Sequence, residues 1–206
     1  MDFDVITASL KKAYDGFMAN AVAYIIGFII GCLGSCLIVT AGPFTYGLYY
    51  MVLKGTRGET VEYKDVFYGF SGGRFVRSWI GFIGLILPFL VVALAAFIIS
   101  SLLTMVLKTA GVVLGLLVAI IAAIVCFILA IFLCYTLLIY VMTPSENIVF
   151  ALKESFRIGK ANIVMTLLTL IVSGVCGIIP IVGAIIGQLF FVYMLKEIEP
   201  SLKDQS

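Results

Sequence analysis

The sequence predicts an all-α fold, a polytopic membrane helix bundle, and three observations carry that reading. Four stretches, Ala21 to Leu53, Trp79 to Leu107, Gly111 to Met142 and Ile163 to Leu195, contain no Asp, Glu, Lys or Arg. Each exceeds the roughly 20 apolar residues that cross a bilayer as a helix. Only 12% of the residues are charged and the mean hydropathy is +1.23. Soluble domains carry about 25% charged residues, so a water-solvated fold is excluded. The basic residues, finally, gather in the segments that join alternate stretches. The 206 residues read as one integral membrane domain without a separate soluble catalytic domain. Asp2 and Asp4 precede Lys11 and Lys12, and the first apolar run is longer than a signal core, so the first span is expected to be retained.

Taken in order, residues 3–18 predict an interfacial helix with Ile6, Leu10, Ala13, Tyr14 and Phe17 on one face. Ala21 to Leu53 is too long for one ordinary span and barely long enough for two. Gly42-Pro43 interrupts it, and proline favours a new helix start. The expected elements are about 20–40 and 43–54, the latter a short span or a re-entrant half-helix. Residues 60–70 predict a second interfacial helix, with Val61, Val66, Phe67 and Phe70 among Glu62, Lys64 and Asp65. Tyr49, Tyr50, Tyr63, Tyr68, Phe75 and Trp79 resemble an aromatic belt at that level.

Elements 79–107 and 111–142 would each run roughly 44–48 Å as helices, against a hydrocarbon core of about 30 Å. Tilt or a kink at Pro88 absorbs the excess, or it projects as an apolar hairpin around Thr109-Ala110-Gly111 that needs a cover. Thr143-Pro144-Ser145-Glu146 then predicts a helix start, with Thr as N-cap, Pro at N1 and Glu at N3. The interfacial helix it opens, 143–158, carries an apolar stripe of Ile148, Val149, Leu152 and Phe156. Gly177-Ile178-Ile179-Pro180 divides the last run into elements 162–178 and 180–196.

Charge placement decides between topologies. With six membrane elements, one side holds 12 of the 13 Lys and Arg, leaving Lys108 opposite. With Ala21 to Leu53 as a single span the split is ten to three. The positive-inside rule prefers the first, with both termini cytoplasmic in the cell membrane. A repeat is also legible. Leu10-Lys11 and Ala19-Asn20-x-Val22 match Leu152-Lys153 and Ala161-Asn162-x-Val164 at an offset of 142, as Leu53-Lys54 matches Leu195-Lys196. Pro43 and Pro180 do not align. Internal repeats are common in transporters.

The chemistry-bearing residues are few. No histidine is present, which removes the commonest general base and metal ligand. Cys32, Cys36, Cys126, Cys134 and Cys176 all fall within predicted spans, with no CxxC pair, and read as small apolar residues. Catalytic residues, metal ligands and cofactors are therefore not expected, nor is nucleic acid at a net charge of +2. Glu59, Glu62 and Asp65 recur beside Arg57 and Lys64 and read as a solvated face, with a cation or headgroup site as the sharper alternative. Lys64, Arg74 and Arg77 are candidate contacts for anionic lipid headgroups. Gly27 and Gly31, Gly111 and Gly115, and Gly183 and Gly187 fit the small-xxx-small pattern of close helix contact or of a widened cavity. Gln188 is the only amide well inside a run. Without an intramembrane charge, a proton-coupled pump is disfavoured.

Gly42-Pro43 with Gly47-Leu48, Lys54 with Arg57-Gly58-Glu59, and Asp65-Val66-Phe67-Tyr68-Gly69-Phe70 form a pattern, continued by Tyr140, Pro144 and Ala151-Leu152-Lys153-Glu154-Ser155. It resembles a loose prokaryotic superfamily of six-helix membrane proteins, mostly of unknown function, that includes the membrane domain of glycerophosphoryl diester phosphodiesterases. The resemblance covers about residues 40–195 and implies topology. The phosphodiesterase activity of those relatives belongs to an attached barrel domain using histidines and metal-binding carboxylates, and is not carried over to a chain without histidine. The expectation is a non-enzymatic membrane protein that organises lipid or a partner, as a homo-oligomer. The alternative is a small transport component or channel holding a small solute inside the bundle. A lipid-processing enzyme would need Glu59, Glu62 and Asp65 to converge.

Overall fold

The computed structural model describes residues 3–145 and 147–200. Its helices are α1 (Phe3–Ala19), α2 (Ala21–Ser35), α3 (Ile38–Thr56), a 3-10 helix (Tyr63–Phe70), α4 (Arg74–Leu107), α5 (Thr109–Leu133), α6 (Thr136–Met142), α7 (Ile148–Ala161), α8 (Ile163–Cys176) and α9 (Val182–Ile198). No strand occurs among the described residues. Two helical stretches, Arg74–Leu107 and Thr109–Met142, are long and apolar enough to cross a membrane. The count rises to four if the bent pairs α1–α2 and α7–α8 are each one span.

The tightest packing lies at the end where most charged residues gather. Every residue of α6 is buried there, enclosed with Tyr46, Met51 and Leu53 of α3 and Leu189, Phe190, Met194 and Leu195 of α9. From this body α4 and α5 project as a pair. The only residues α4 buries are Ser78 and Gly81, near its start. At the far tip, a single residue, Lys108 with φ 47°, turns the chain, rather than a loop around Gly111. Gly111 and Gly115 bring the two helices together: a β-carbon at Gly111 would overlap the Leu103 carbonyl, and Ser100 Oγ donates to Gly115 O at 3.2 Å.

Four expectations are corrected, two of helix starts and two of helix faces. Pro43 does not begin a helix. The chain turns earlier, at Cys36-Leu37, and Pro43 lies inside α3. Proline deprives the carbonyl four residues back of its donor. That carbonyl, of Val39, accepts instead from Trp79 Nε1 at 3.2 Å, so the helix continues unbroken. Thr143 does not cap α7 either. It is buried behind α6, its hydroxyl donating to Ile139 O at 2.8 Å, while Asn147 caps α7 by accepting from Phe150 N at 2.9 Å. Glu146, expected at N3, lies outside the described residues. The stripe on α7 is turned as well, although Ile148 still packs against the core and Leu152 is half-buried. Ala151, Ser155, Ile158 and Gly159 face the core, and Val149 and Phe156 face out. On α1 the buried line is Ser9, Ala13 and Phe17, with Tyr14 52% exposed.

Small residues on α7 are explained by what lies beneath them. At Cys134-Tyr135 the helical path between α5 and α6 breaks, freeing backbone groups beside the fully buried Tyr135. Ser155 Oγ donates to Phe132 O at 2.9 Å and accepts from Tyr135 N at 3.2 Å, and Cys134 Sγ donates to Ile131 O at 3.1 Å. Gly159 lets α7 lie close enough on Phe132 for this to happen.

The elements before and after the central pair correspond. The bends between α1 and α2 and between α7 and α8 are 88° and 102°. Their corners, Asn20 (φ −135°, ψ 28°) and Asn162 (φ −129°, ψ 43°), have nearly one backbone conformation. Each leads into a hairpin, closed at Cys36-Leu37 in the first unit and by Gly177 to Ile181 in the second.

Three substitutions test the packing. Ser155→Ala orphans a buried N–H and a part-buried C=O and is expected to cost about 1–3 kcal/mol, read as a lower unfolding midpoint in detergent. Gly47→Ala, whose β-carbon would overlap the Val66 carbonyl, is expected to destabilise by about 1–3 kcal/mol. Gly174→Ala meets nothing and is expected to stabilise α8 by up to about 1 kcal/mol.

Candidate functional site

Two cavities merit a functional reading, one at the charged end and one among apolar helices. The first is built on α3. Tyr46, Tyr50, Leu53 and Arg57 recur at helical spacing and line one side. The 3-10 helix supplies Tyr68, α4 supplies Arg74 and Arg77, and Val141, Met142 and Pro144 complete a cavity of about 380 Å³.

Close approach of the 3-10 helix to α3 makes the site. Gly47 sits against the Val66 backbone and Gly69 against that of Pro43, and any β-carbon there would overlap the neighbouring carbonyl. Phe44 packs edge-on to Phe67 and Phe70, with ring centroids 5.5 and 4.9 Å away. Lys54 Nζ meets Asp65 Oδ2 at 2.9 Å, in a pair whose side chains are only 20% and 16% exposed. The same Asp65 oxygen accepts from Glu62 N at 2.8 Å.

With that frame fixed, aromatic rings and guanidiniums interleave. The Tyr50 and Tyr68 rings stack 3.5 Å apart at 2°, and Arg74 lies 4.0 Å over Tyr68. Arg77 lies 4.0 Å over Tyr140 and donates to Tyr140 O and Thr143 O, both at 2.9 Å. It thus holds the end of α6 as well as lining the cavity. Arg57 reaches Glu59 only at 4.0 Å. Among the described residues, no Asp or Glu lines this cavity. Elsewhere at the charged end cations meet acids: Arg157 is held by Glu154 and by Glu199 at 2.6 Å, and Lys12 by Glu197 at 3.3 Å. The hydrogen bonds to Glu154 and Glu199 push the Arg157 pKa upward.

The second cavity, about 350 Å³, lies between α8, α9 and the α5–α6 break. Gln188, Gly187, Ser173, Gly177, Tyr49 and Cys134 are among its lining. Gln188 Oε1 is buried without a hydrogen-bond partner. Ser173 Oγ is engaged by Gly187 O at 3.1 Å.

Arg74 and Arg77 therefore come together, whereas Lys64 is exposed and outside the lining. Of the six glycines paired by the small-xxx-small spacing, Gly187 is the one that lines the second cavity with Gln188. Gly27 and Gly31 admit Met51 and Leu48, and Gly183 lies against the Cys176 carbonyl. Among the described residues no three His, Cys, Asp or Glu side chains could hold a metal ion, Glu59, Glu62 and Asp65 included. The cysteines are unbridged. No family model, curated protein or solved structure matches this chain. Its functional reading rests on these two cavities and on the projecting helices. Sequence reasoning missed Tyr46, Tyr50, Tyr68 and Arg57 as partners of Arg74 and Arg77. The recurrence at 46, 50, 53 and 57 was the available signal.

Gln188→Leu tests the second cavity. It removes an unpaired buried carbonyl, whose burial costs about 1–3 kcal/mol. The expected outcome is a raised unfolding midpoint in detergent; an unchanged or lowered midpoint means that the amide is satisfied in the membrane.

Proposed function

We propose that this chain is a non-enzymatic, multi-pass protein of the cell membrane that organises lipid as a homo-oligomer. Six membrane elements, both termini cytoplasmic and the charged end at the inner surface are part of this reading. The observation that carries it is the central pair. Each 34-residue stretch is about 51 Å long at ~1.5 Å per residue, against a core of about 30 Å. The most apolar window of α4 has none of its residues buried in the protein, and that of its partner only 11%. Such a surface needs lipid along its middle and a further cover at its tip, which a second copy provides. The short hairpins, α2 with α3 and α8 with α9, then flank it, and Lys108 lies outside. The resemblance to the six-helix superfamily supports the same topology.

The Gln188 cavity favours a second reading, a small transport component that holds a solute within the bundle. Native mass spectrometry of the protein released in mild detergent separates the two. An oligomer carrying bulk phospholipid is expected, and a monomer holding one defined solute would overturn the proposal. Topology has its own test. A reporter active only on the outer side of the cell membrane should be active when fused after Lys108 and silent when fused to either terminus.

A further inference from the structure

We propose that the cavity between α3, the 3-10 helix and the start of α4 binds a phosphate group, presented by an anionic lipid headgroup at the inner surface. The inference deepens the lipid-organising reading and rests on it for the lipid source, but the phosphate chemistry stands on the cavity alone. Three guanidiniums, of Arg57, Arg74 and Arg77, line one space of about 380 Å³ that no described acid enters. Arg57, with Glu59 at 4.0 Å, and Arg74 both present their charge to this space, and an anion between them relieves their repulsion. Arginine is suited to the task, because its planar fork matches phosphate oxygens two at a time.

The geometry holds the forks ready. Arg77 is fixed by two backbone carbonyls and the Tyr140 ring. Arg74 is fixed by the Tyr68 ring and by Ser71 O at 3.2 Å. Side chains already ordered lose little freedom on binding. The first turn of α4 adds the positive end of a helix dipole beside Arg74. Tyrosine hydroxyls can donate to further oxygens. The volume equals roughly a dozen waters at ~30 Å³ each, room for a phosphate with a small headgroup. Leu53, Val141 and Met142 line the same space and suit the apolar start of a lipid's glycerol backbone.

The test uses the full chain in neutral detergent. Thermal unfolding is followed while phosphatidylglycerol, phosphatidylcholine or inorganic phosphate is titrated in. The comparison is between wild type, Arg57→Gln/Arg74→Gln and Lys64→Gln. Arg77 is left in place because it also holds α6. Phosphatidylglycerol is expected to raise the midpoint of wild type and of Lys64→Gln alike. The double variant should need about tenfold or more lipid for the same shift, since each arginine lost removes a charge-assisted hydrogen bond. Phosphatidylcholine should act weakly. If inorganic phosphate shifts wild type as strongly as the lipid, and the double variant loses that shift, the phosphate site stands and the lipid source falls. A double variant responding like wild type overturns the site, as does equal stabilisation by phosphatidylcholine. Should the double variant prove unfolded, the single variants Arg57→Gln and Arg74→Gln carry the comparison. Failure of the oligomer in mass spectrometry would leave these outcomes untouched, so the two proposals fail separately.

Discussion

A backbone N–H or C=O freed by a helix break has no water to turn to in apolar surroundings, and leaving it unpaired costs several kcal/mol. This chain breaks or strains its helices repeatedly, and side chains from other elements take up the groups released. Trp79 takes the carbonyl that Pro43 strands on Val39. Ser155 takes both groups opened at the start of α6. Arg77 takes two carbonyls at its end. Asn20, at the first corner, accepts from Val61 N at 3.2 Å. Each repair also ties two elements together, so the breaks double as the joints of the fold.

The joints place the charged-end cavity. Arg77 can line it because α6 ends where its carbonyls are reachable, and α6 ends there because Ser155 lets it begin at Thr136. The 3-10 helix can present Tyr68 because Gly47 and Gly69 allow backbone to meet backbone. The half-buried Lys54–Asp65 pair is weak evidence for stability, since desolvation offsets much of the attraction. Its role here is register: it sets which face of the 3-10 helix meets α3, and so where Tyr68 stacks on Tyr50.

How much of this could be read from the sequence differs by length scale. Charge-free stretches and the Gly177–Pro180 break foretold an all-helical chain and its final hairpin, because those signals are local. The turn at Cys36-Leu37 was hidden, since the remedy for Pro43 sits 40 residues away on Trp79. The α7 start was misplaced because Thr143 reads as a cap only until one sees that its hydroxyl is spent on α6. Its apolar stripe misled because closeness to the α5–α6 break required small residues inside, at the expense of Val149 and Phe156. Arg74 and Arg77 were legible as cations at the start of the first long apolar helix. Their convergence with Arg57 and three tyrosines was not, because it depends on two glycines admitting a short helix. Lys64, equal in charge, points elsewhere.

Trp79 is the only tryptophan in the chain, and its indole sits on the seam between α3 and α4. The ultraviolet emission of this protein is therefore a local gauge rather than a global one. It reports whether the proline-bearing helix is docked on the first long helix, because the indole is half-buried there and its surroundings change on separation. Spectra and circular dichroism that part company during heating would then mark that seam opening before the buried rod of α6 gives way.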